Sequence, residues 1–302
     1  MTVYACCRKP TANIQQKSCL KNIFHHVLLV IIFNYPIYSN VPVLKSFYEP
    51  AFPNIILCGP EASPEYGVLE VNITKGYFGY DCLSTAIQER PKFEGYLYVN
   101  DDMIVNYWNL VGRDINRIWE GAREPITVGA YGPPNKWYWW HSRWGIERCN
   151  EAFKEISASI LEKSESSVRL KNALDILKLN GEGKYFCSRG RSDIFYLPRK
   201  FQEMFTQLST VFRKHNVFHE IALPTIATML ALSSRFERIH GIYLPGMLGR
   251  HDNKYLWTYY NTSLCFIHPI KFNYNGSDTD LNKALLKNWL LPYSRSIVLC
   301  RL

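Results

Sequence analysis

The sequence lacks a run long enough to cross a membrane. Its longest apolar stretch, Val27 to Phe33, is seven residues, against about 20 for a helical span. The segment before it, Met1 to His26, is basic and polar and does not read as a signal peptide. For a protein of a secretory compartment, the targeting segment is therefore expected outside this chain or in unconventional form. The nine cysteines contain no C-x-x-C pair, which argues against a zinc knuckle or a thioredoxin-type motif. No G-x-x-x-x-G-K-[ST] is present, which disfavours a P-loop nucleotidase. No G-x-S-x-G is present, which disfavours an α/β serine hydrolase. Internal repeats and low-complexity linkers are missing too.

The 302 residues present suit one large α/β domain or two smaller ones, with enough chain to bury a real core without staples. Apolar residues at 47% and charged residues at 20% exclude a disordered chain. Aromatics are plentiful, with 20 Tyr, 16 Phe and 8 Trp. Lysine and arginine exceed the acids by 35 − 26 = 9, which favours anionic partners such as nucleotides, nucleic acid or acidic membrane without choosing among them. The cysteine count is odd, so at least one thiol stays unpaired or pairs between chains. N-x-[ST] sequons start at Asn72, Asn261 and Asn275, so a secretory lumen and a reducing compartment both stay open.

Patterning gives an α/β order. Residues 26–33 and 54–58 read as strands buried on both faces, and 68–72 as a third strand. Helices are expected over 39–48, with Pro42 in the first turn, and over 80–90, stopped by Pro91. Residues 95–99 form the next strand. A short strand is expected at 126–129, an aromatic loop over 133–144, and two helical stretches within 145–177. Residues 185–187 and 193–197 read as a hairpin. Helices over 201–213 and 219–232, a strand at 239–244, a β-rich stretch at 256–267 and a helix over 278–291 complete the chain. The expected fold is a mainly parallel mixed sheet flanked by helices.

The sharpest local feature is Tyr96-Leu97-Tyr98-Val99-Asn100-Asp101-Asp102, an apolar strand that runs straight into acid. Open α/β sheets bind ligands at the carboxyl ends of their strands. Two adjacent carboxylates there repel, and a divalent cation relieves the repulsion through hard oxygen ligands. Such an ion would act on a leaving diphosphate as a Lewis acid. The plain alternative is a solvated Asn-Asp-Asp turn.

This strand and its acidic end resemble the GT-A glycosyltransferases, and more loosely their exostosin-type and STELLO-type branches, whose mark is an apolar strand ending in D-x-D or D-D-D. The resemblance spans roughly residues 26–290. It implies a GT-A, Rossmann-like fold and transfer of a sugar from a nucleotide-sugar, UDP by default, to a glycan or glycoprotein. It implies Mn²⁺ or Mg²⁺ on Asp102, supported by Asp101. Asn100 stands where the pattern has an acid, and its amide would coordinate weakly or bond a ribose hydroxyl. The same resemblance makes Glu220, in His219-Glu220-Ile221 at a helix start, the acid beside the acceptor. An acid in a helix's first turn is also favourable to the helix dipole alone. His268, in Phe266-Ile267-His268-Pro269-Ile270-Lys271, matches a late histidine of the metal site, and Lys271 would meet a phosphate.

Asp193 would face the acceptor or pair with Arg189 or Arg191, whose planar donors also suit a diphosphate. Four tryptophans in Trp137–Trp144 would form an acceptor platform or pack into the core, while stacking on single-stranded nucleic acid lacks any RNP, KH or helix-turn-helix signature to support it. Nucleic acid is therefore not an expected partner. The expected organisation is an unstructured segment at 1–22 and one domain over 23–302. Within that domain, 23–130 would be the nucleotide-sugar half and 131–302 the acceptor half. The Golgi or endoplasmic reticulum lumen is the expected place, with a membrane reached through an anchor outside this chain. The alternative to an enzyme is a degenerate relative that binds glycans or partner transferases.

Overall fold

The computed structural model describes residues 20–128, 136–162, 164–244, 256–272 and 280–298. Ten strands are present among the described residues: β1 (Val27–Ile32), β2 (Ile55–Gly59), β3 (Val68–Glu70), β4 (Gly95–Asn100), β5 (Ile104–Val105), β6 (Trp119–Glu120), β7 (Ile194–Pro198), β8 (Glu237–Arg238), β9 (Gly241–Tyr243) and β10 (Phe266–His268). The principal helices are α1 (Val41–Tyr48), α2 (Tyr80–Glu89), α3 (Tyr138–His141), α4 (Ile146–Ser159), α5 (Glu165–Asn180), α6 (Gln202–Lys214), α7 (His219–Leu230), α8 (Asp280–Leu285) and α9 (Leu291–Val298).

Seven strands form the main sheet in the order β3-β2-β1-β4-β7-β6-β8. The β3-β2-β1-β4 pairs are parallel, β7 runs against both its neighbours, and β8 is parallel to β6. Six strands therefore share one direction. This is the mainly parallel mixed sheet that the alternation of elements predicts.

β1 shows why the apolar run belongs at the centre. All six of its residues are buried. Its side chains alternate between faces, as a pleated strand requires. Leu28, Val30 and Ile32 pack with α2, α4, α5, α6 and α7, whereas Val27, Leu29 and Ile31 pack with α1, β5, β10 and the C-terminal helices. A strand loaded on both faces must be apolar throughout. Two disulfides, Cys58–Cys82 and Cys149–Cys187, join β2 to α2 and α4 to the loop before β7. Cys265 remains a thiol, while Cys6, Cys7, Cys19 and Cys300 lie outside the described residues.

Several expected elements differ. The edge next to β7 is taken by Trp119–Glu120, not by residues 126–129. Ile126 is buried in a loop after Pro125, and Gly129 is outside the described residues. Residues 185–187 form no hairpin with β7. Cys187 is held by Cys149, and the N–H and C=O of Ser188 bond the Thr225 hydroxyl on α7, so this backbone finds its partners away from a ladder. β7 pairs with β4 instead. The segment 239–244 contributes β9 to a second, three-stranded sheet of order β5-β10-β9. Residues 256–267 are mostly turn and single-turn helix before β10. The last helical stretch continues through a wide turn at Leu286–Leu290 to Val298.

Candidate functional site

Two strand pairings assemble the site. β4 ends at Asn100, and its register with β7, Val99 opposite Ile194, brings Asp193 beside Asn100. The Asn100 N–H donates to the Asp193 carbonyl at 3.0 Å. β5 follows Asp102 after the single residue Met103, and its register with β10, Ile104 opposite Ile267, sets His268 beside the acidic turn. The Ile270 N–H then bonds the Asp102 carbonyl at 2.6 Å. Segments about 90 and 170 residues downstream thereby converge on the end of β4.

The side chains form one connected group. Lys271 donates from Nζ to Asp102 Oδ2. His268 Nε2 lies 3.3 Å from Asp102 Oδ1 and 3.3 Å from Asp193 Oδ1. Asn100 Nδ2 donates to Asp193 Oδ1 at 2.9 Å, and Asn100 Oδ1 accepts from the Tyr98 hydroxyl at 3.0 Å. The carboxylate of Asp102 is almost fully enclosed, with 5% of its side chain exposed, and Lys271 keeps 17%. Asp102 Oδ1, Asp193 Oδ2 and His268 Nδ1 are buried without a hydrogen-bond partner.

Electrostatics divide the two adjacent acids. Burial pushes the Asp102 carboxyl up, but Lys271 and His268 outweigh it and hold the group well below the usual carboxylate range. Burial and the charge of Asp102 push Asp101 up to about 7. For His268, burial favours the neutral ring, but Asp193 and Asp102 prevail and raise it. The solvated-turn alternative is thus corrected, because Asn100 and Asp102 are buried and bonded into the group.

Glu220 approaches from the other side. Eleven of the twelve residues of α7 are buried, and Glu220 is the exception. Its carbonyl accepts from Gly190 N–H at 3.0 Å, which docks the 188–193 loop on the start of α7. Glu220 keeps partial exposure, yet desolvation of its carboxyl among the surrounding side chains and the nearby charge of Asp193 push it up to about 8, against the pull of Arg191, His268 and Arg189. Next to it, His219 Nε2 lies 3.1 Å from the Ser192 carbonyl, and its ring stacks on Tyr98. Both of these contacts tie the start of α7 to the sheet and to the 188–193 loop.

The tryptophan segment proves to be packing in large part. Trp139 stacks on Phe218 at 4.4 Å between centroids, and Tyr77 meets both Trp139 and Trp144. Trp137 is half-buried, and the Arg189 guanidinium lies over its ring. Pro133 and Pro134 lie outside the described residues. The Gly76–Gly79 turn sits at the end of β1, where a side chain on Gly76 (φ +84°) would strike Asn34. Beside this turn the Asp101 N–H donates to the Ile32 carbonyl at 2.9 Å.

Sequence reasoning missed Glu120, Arg238 and Tyr243. Glu120 ends β6, is 2% exposed and is pushed up to about 8 by burial, despite Arg238 Nε at 3.4 Å. A cleft of about 300 Å³ opens beside it, with Arg123, Arg238, His240 and Tyr243 in its wall. Tyr243 separates this cleft from the site, with Arg191 over its ring and His268 against its edge. A two-residue strand carrying one acid leaves almost no pattern to read.

The divalent cation implied by the resemblance has to be set against these donors. Asp102 Oδ2 already holds the Lys271 ammonium, Asp102 Oδ1 faces the His268 ring, and the two ends of the Asn100 amide are committed. Among the described residues no group of three or more His, Cys, Asp or Glu is placed to hold a metal ion. As arranged, the residues do not fit that ion.

Comparison with known proteins places the chain. The profile of the STELLO glycosyltransferases matches residues 4–182. The probable glycosyltransferase STELLO1 of Arabidopsis thaliana is 22% identical over 221 residues, covering 72% of this chain and 26% of that protein. The probable glycosyltransferase STELLO2 of the same plant is 20% identical over 224 residues, with the same coverage, 72% and 26%. The chain therefore spans about a quarter of the length of the curated relatives it matches.

Proposed function

The chain belongs to the STELLO glycosyltransferase family, and from that premise we propose that it moves a hexosyl or N-acetylhexosaminyl group from a nucleotide-sugar, with UDP as the nucleotide, to a glycan or glycoprotein. The observation that carries this reading is the convergence of Asn100, Asp102, Asp193, His268 and Lys271 where β4 ends. Strand ends of an open sheet are where such folds take their ligands.

The roles follow from placement. The end of β1 and the Gly76 turn flank Asp101 on the donor side. Lys271 and His268 bring positive charge to the position of the leaving diphosphate. Glu220 faces the acceptor side, where its carboxyl, poised near neutrality, takes the proton of the attacking hydroxyl. Asp193 fixes the His268 ring and the Asn100 amide between the two sides.

The Golgi or endoplasmic reticulum lumen is the proposed compartment. Two buried disulfides support it, since such bonds persist in oxidising surroundings. Asn72 and Asn261 are also exposed sequon positions, whereas Asn275 lies outside the described residues. Among the described residues no helix is long and apolar enough to cross a membrane.

A screen of nucleotide-sugars for release of the nucleoside diphosphate, run with manganese, with magnesium and with chelator, tests the activity. Release from one donor, lost in Asp102→Ala, is expected. Glycan binding with no donor cleaved in any buffer would instead favour the degenerate, glycan-binding relative.

A further inference from the structure

The clash between the expected metal and the residues at the end of β4 has a physical resolution. Three observations meet there. The ammonium of Lys271 is seated on Asp102 Oδ2. His268 lies against the other Asp102 oxygen and against Asp193. At position 100, where the resemblance expects an acid, there is an amide whose oxygen accepts from Tyr98 and whose nitrogen donates to Asp193. The two enclosed carboxylates are thus faced by the Lys271 ammonium and the His268 ring. A divalent ion would have to displace the ammonium from a pair of which the acid is 5% exposed and the lysine 17%.

We propose that Lys271, anchored by Asp102 and flanked by His268, is the cation that receives the nucleoside diphosphate, in place of a divalent metal. The inference rests on the transferase reading above and names the chemistry of its donor site. Lysine suits the task because its ammonium is a compact, full point charge with three donors. His268 adds a second contact. It is 8% exposed, and its Nδ1 is buried with no hydrogen-bond partner. A phosphate oxygen beside the ring supplies one. Asp102 then acts as the positioning residue that holds both cations, and it is not itself a ligand of the diphosphate. In the transfer, the bond between the anomeric carbon and the phosphate oxygen breaks and its electron pair stays on the diphosphate. The acceptor oxygen bonds the anomeric carbon, and its proton passes to Glu220. Lys271 and His268 balance the new charge on the diphosphate without giving up a proton.

The test is calorimetric titration of the whole chain with UDP and, in parallel, GDP, in excess EDTA and in MnCl₂. The expected result is binding of one nucleotide with the same affinity in both buffers. Lys271→Met is expected to weaken it by at least about tenfold, the size of one charge-assisted hydrogen bond, with manganese giving no rescue and Lys271→Arg retaining most of the affinity. Binding that needs manganese, or an unchanged affinity in Lys271→Met, overturns the inference and leaves the transferase reading standing. Failure of both nucleotides in both buffers overturns the transferase reading and this inference with it. If Lys271→Met does not fold, the chelator comparison on the unaltered chain and the Lys271→Arg variant still decide.

Discussion

Two stretches of the chain, residues 27–102 and 193–271, meet at the site but are built in different ways. Residues 27–100 hold four parallel strands joined by long connections, with β1 and β4 buried along their full length. Residues 194–268 contribute short pieces, and β8, β9 and β10 have two or three residues each. The family match covers the first region and stops at residue 182, before Asp193, Glu220, His268 and Lys271. A long buried strand is held by its own apolar load. A short one is held by what it pairs with, so its place is set by the rest of the molecule. The first region provides a rigid strand end that carries Asp101 and Asp102, and the second supplies Asp193, Glu220, His268 and Lys271.

Removing the link between the two regions should have the largest effect. Asp102→Ala leaves Lys271 without its buried partner and His268 without one of its two carboxylates. It is expected to cost about 3–5 kcal/mol in denaturant unfolding and to lower donor cleavage by at least 10²-fold, on the order seen when a charge-stabilising group is lost. If Asp102→Ala is as stable as the parent, the two regions are not joined through this residue.

Breaking each region's own staple comes next. Replacing Cys58 and Cys82 together by alanine opens a bond with a sequence separation of 24, and replacing Cys149 and Cys187 opens one of 38. Each double variant should lose about 3–4 kcal/mol by loop-closure entropy, read by non-reducing denaturation. A much smaller loss for the first pair would mean that the strands of the first region hold α2 without it.

Glu220→Gln sharpens the comparison from the second region alone. The side chain keeps its shape and loses its proton acceptor. Cleavage and transfer should fall by about 10²-fold while the unfolding midpoint stays in place. A fall in stability equal to the fall in rate would make Glu220 a structural residue.

The smallest expected effect, taken per pH unit, concerns Glu120. Its folded-state pKa is raised from 4.5 to about 8 by burial, so between these values the folded chain binds more protons than the unfolded one. Stability contributed by this group therefore falls as pH rises through that window, by up to about 1.4 kcal/mol per pH unit. Glu120→Gln should flatten the decline between pH 5 and 8. Parallel stability curves for the parent and the variant would contradict this account of the group.

Legibility in the sequence follows the same division. Runs such as Val27–Ile32 and Gly95–Asn100 announce themselves, because burial on both faces demands continuous apolar residues. The helices α2, α4, α5 and α6 lie close to their expected bounds for the matching reason, one-sided periodicity, whereas α7 is buried nearly all round and reads as a continuous apolar run. β6 was invisible because two residues carry no period. Ile126 drew the strand expectation because it is β-branched and buried, yet the sheet edge was already taken. The residues of the site were legible as candidates one at a time. Their meeting was not, since it depends on the β4–β7 and β5–β10 registers. The commitment of Lys271 to Asp102 was hidden for the same reason, across 169 residues of chain.

Hydrogen exchange with and without saturating UDP or GDP tests the central claim most directly, that a single donor site is built from both regions. The account predicts simultaneous protection of peptides covering 95–103, 188–194 and 266–272. Protection confined to the first of these peptides, or absent from all three, would contradict it.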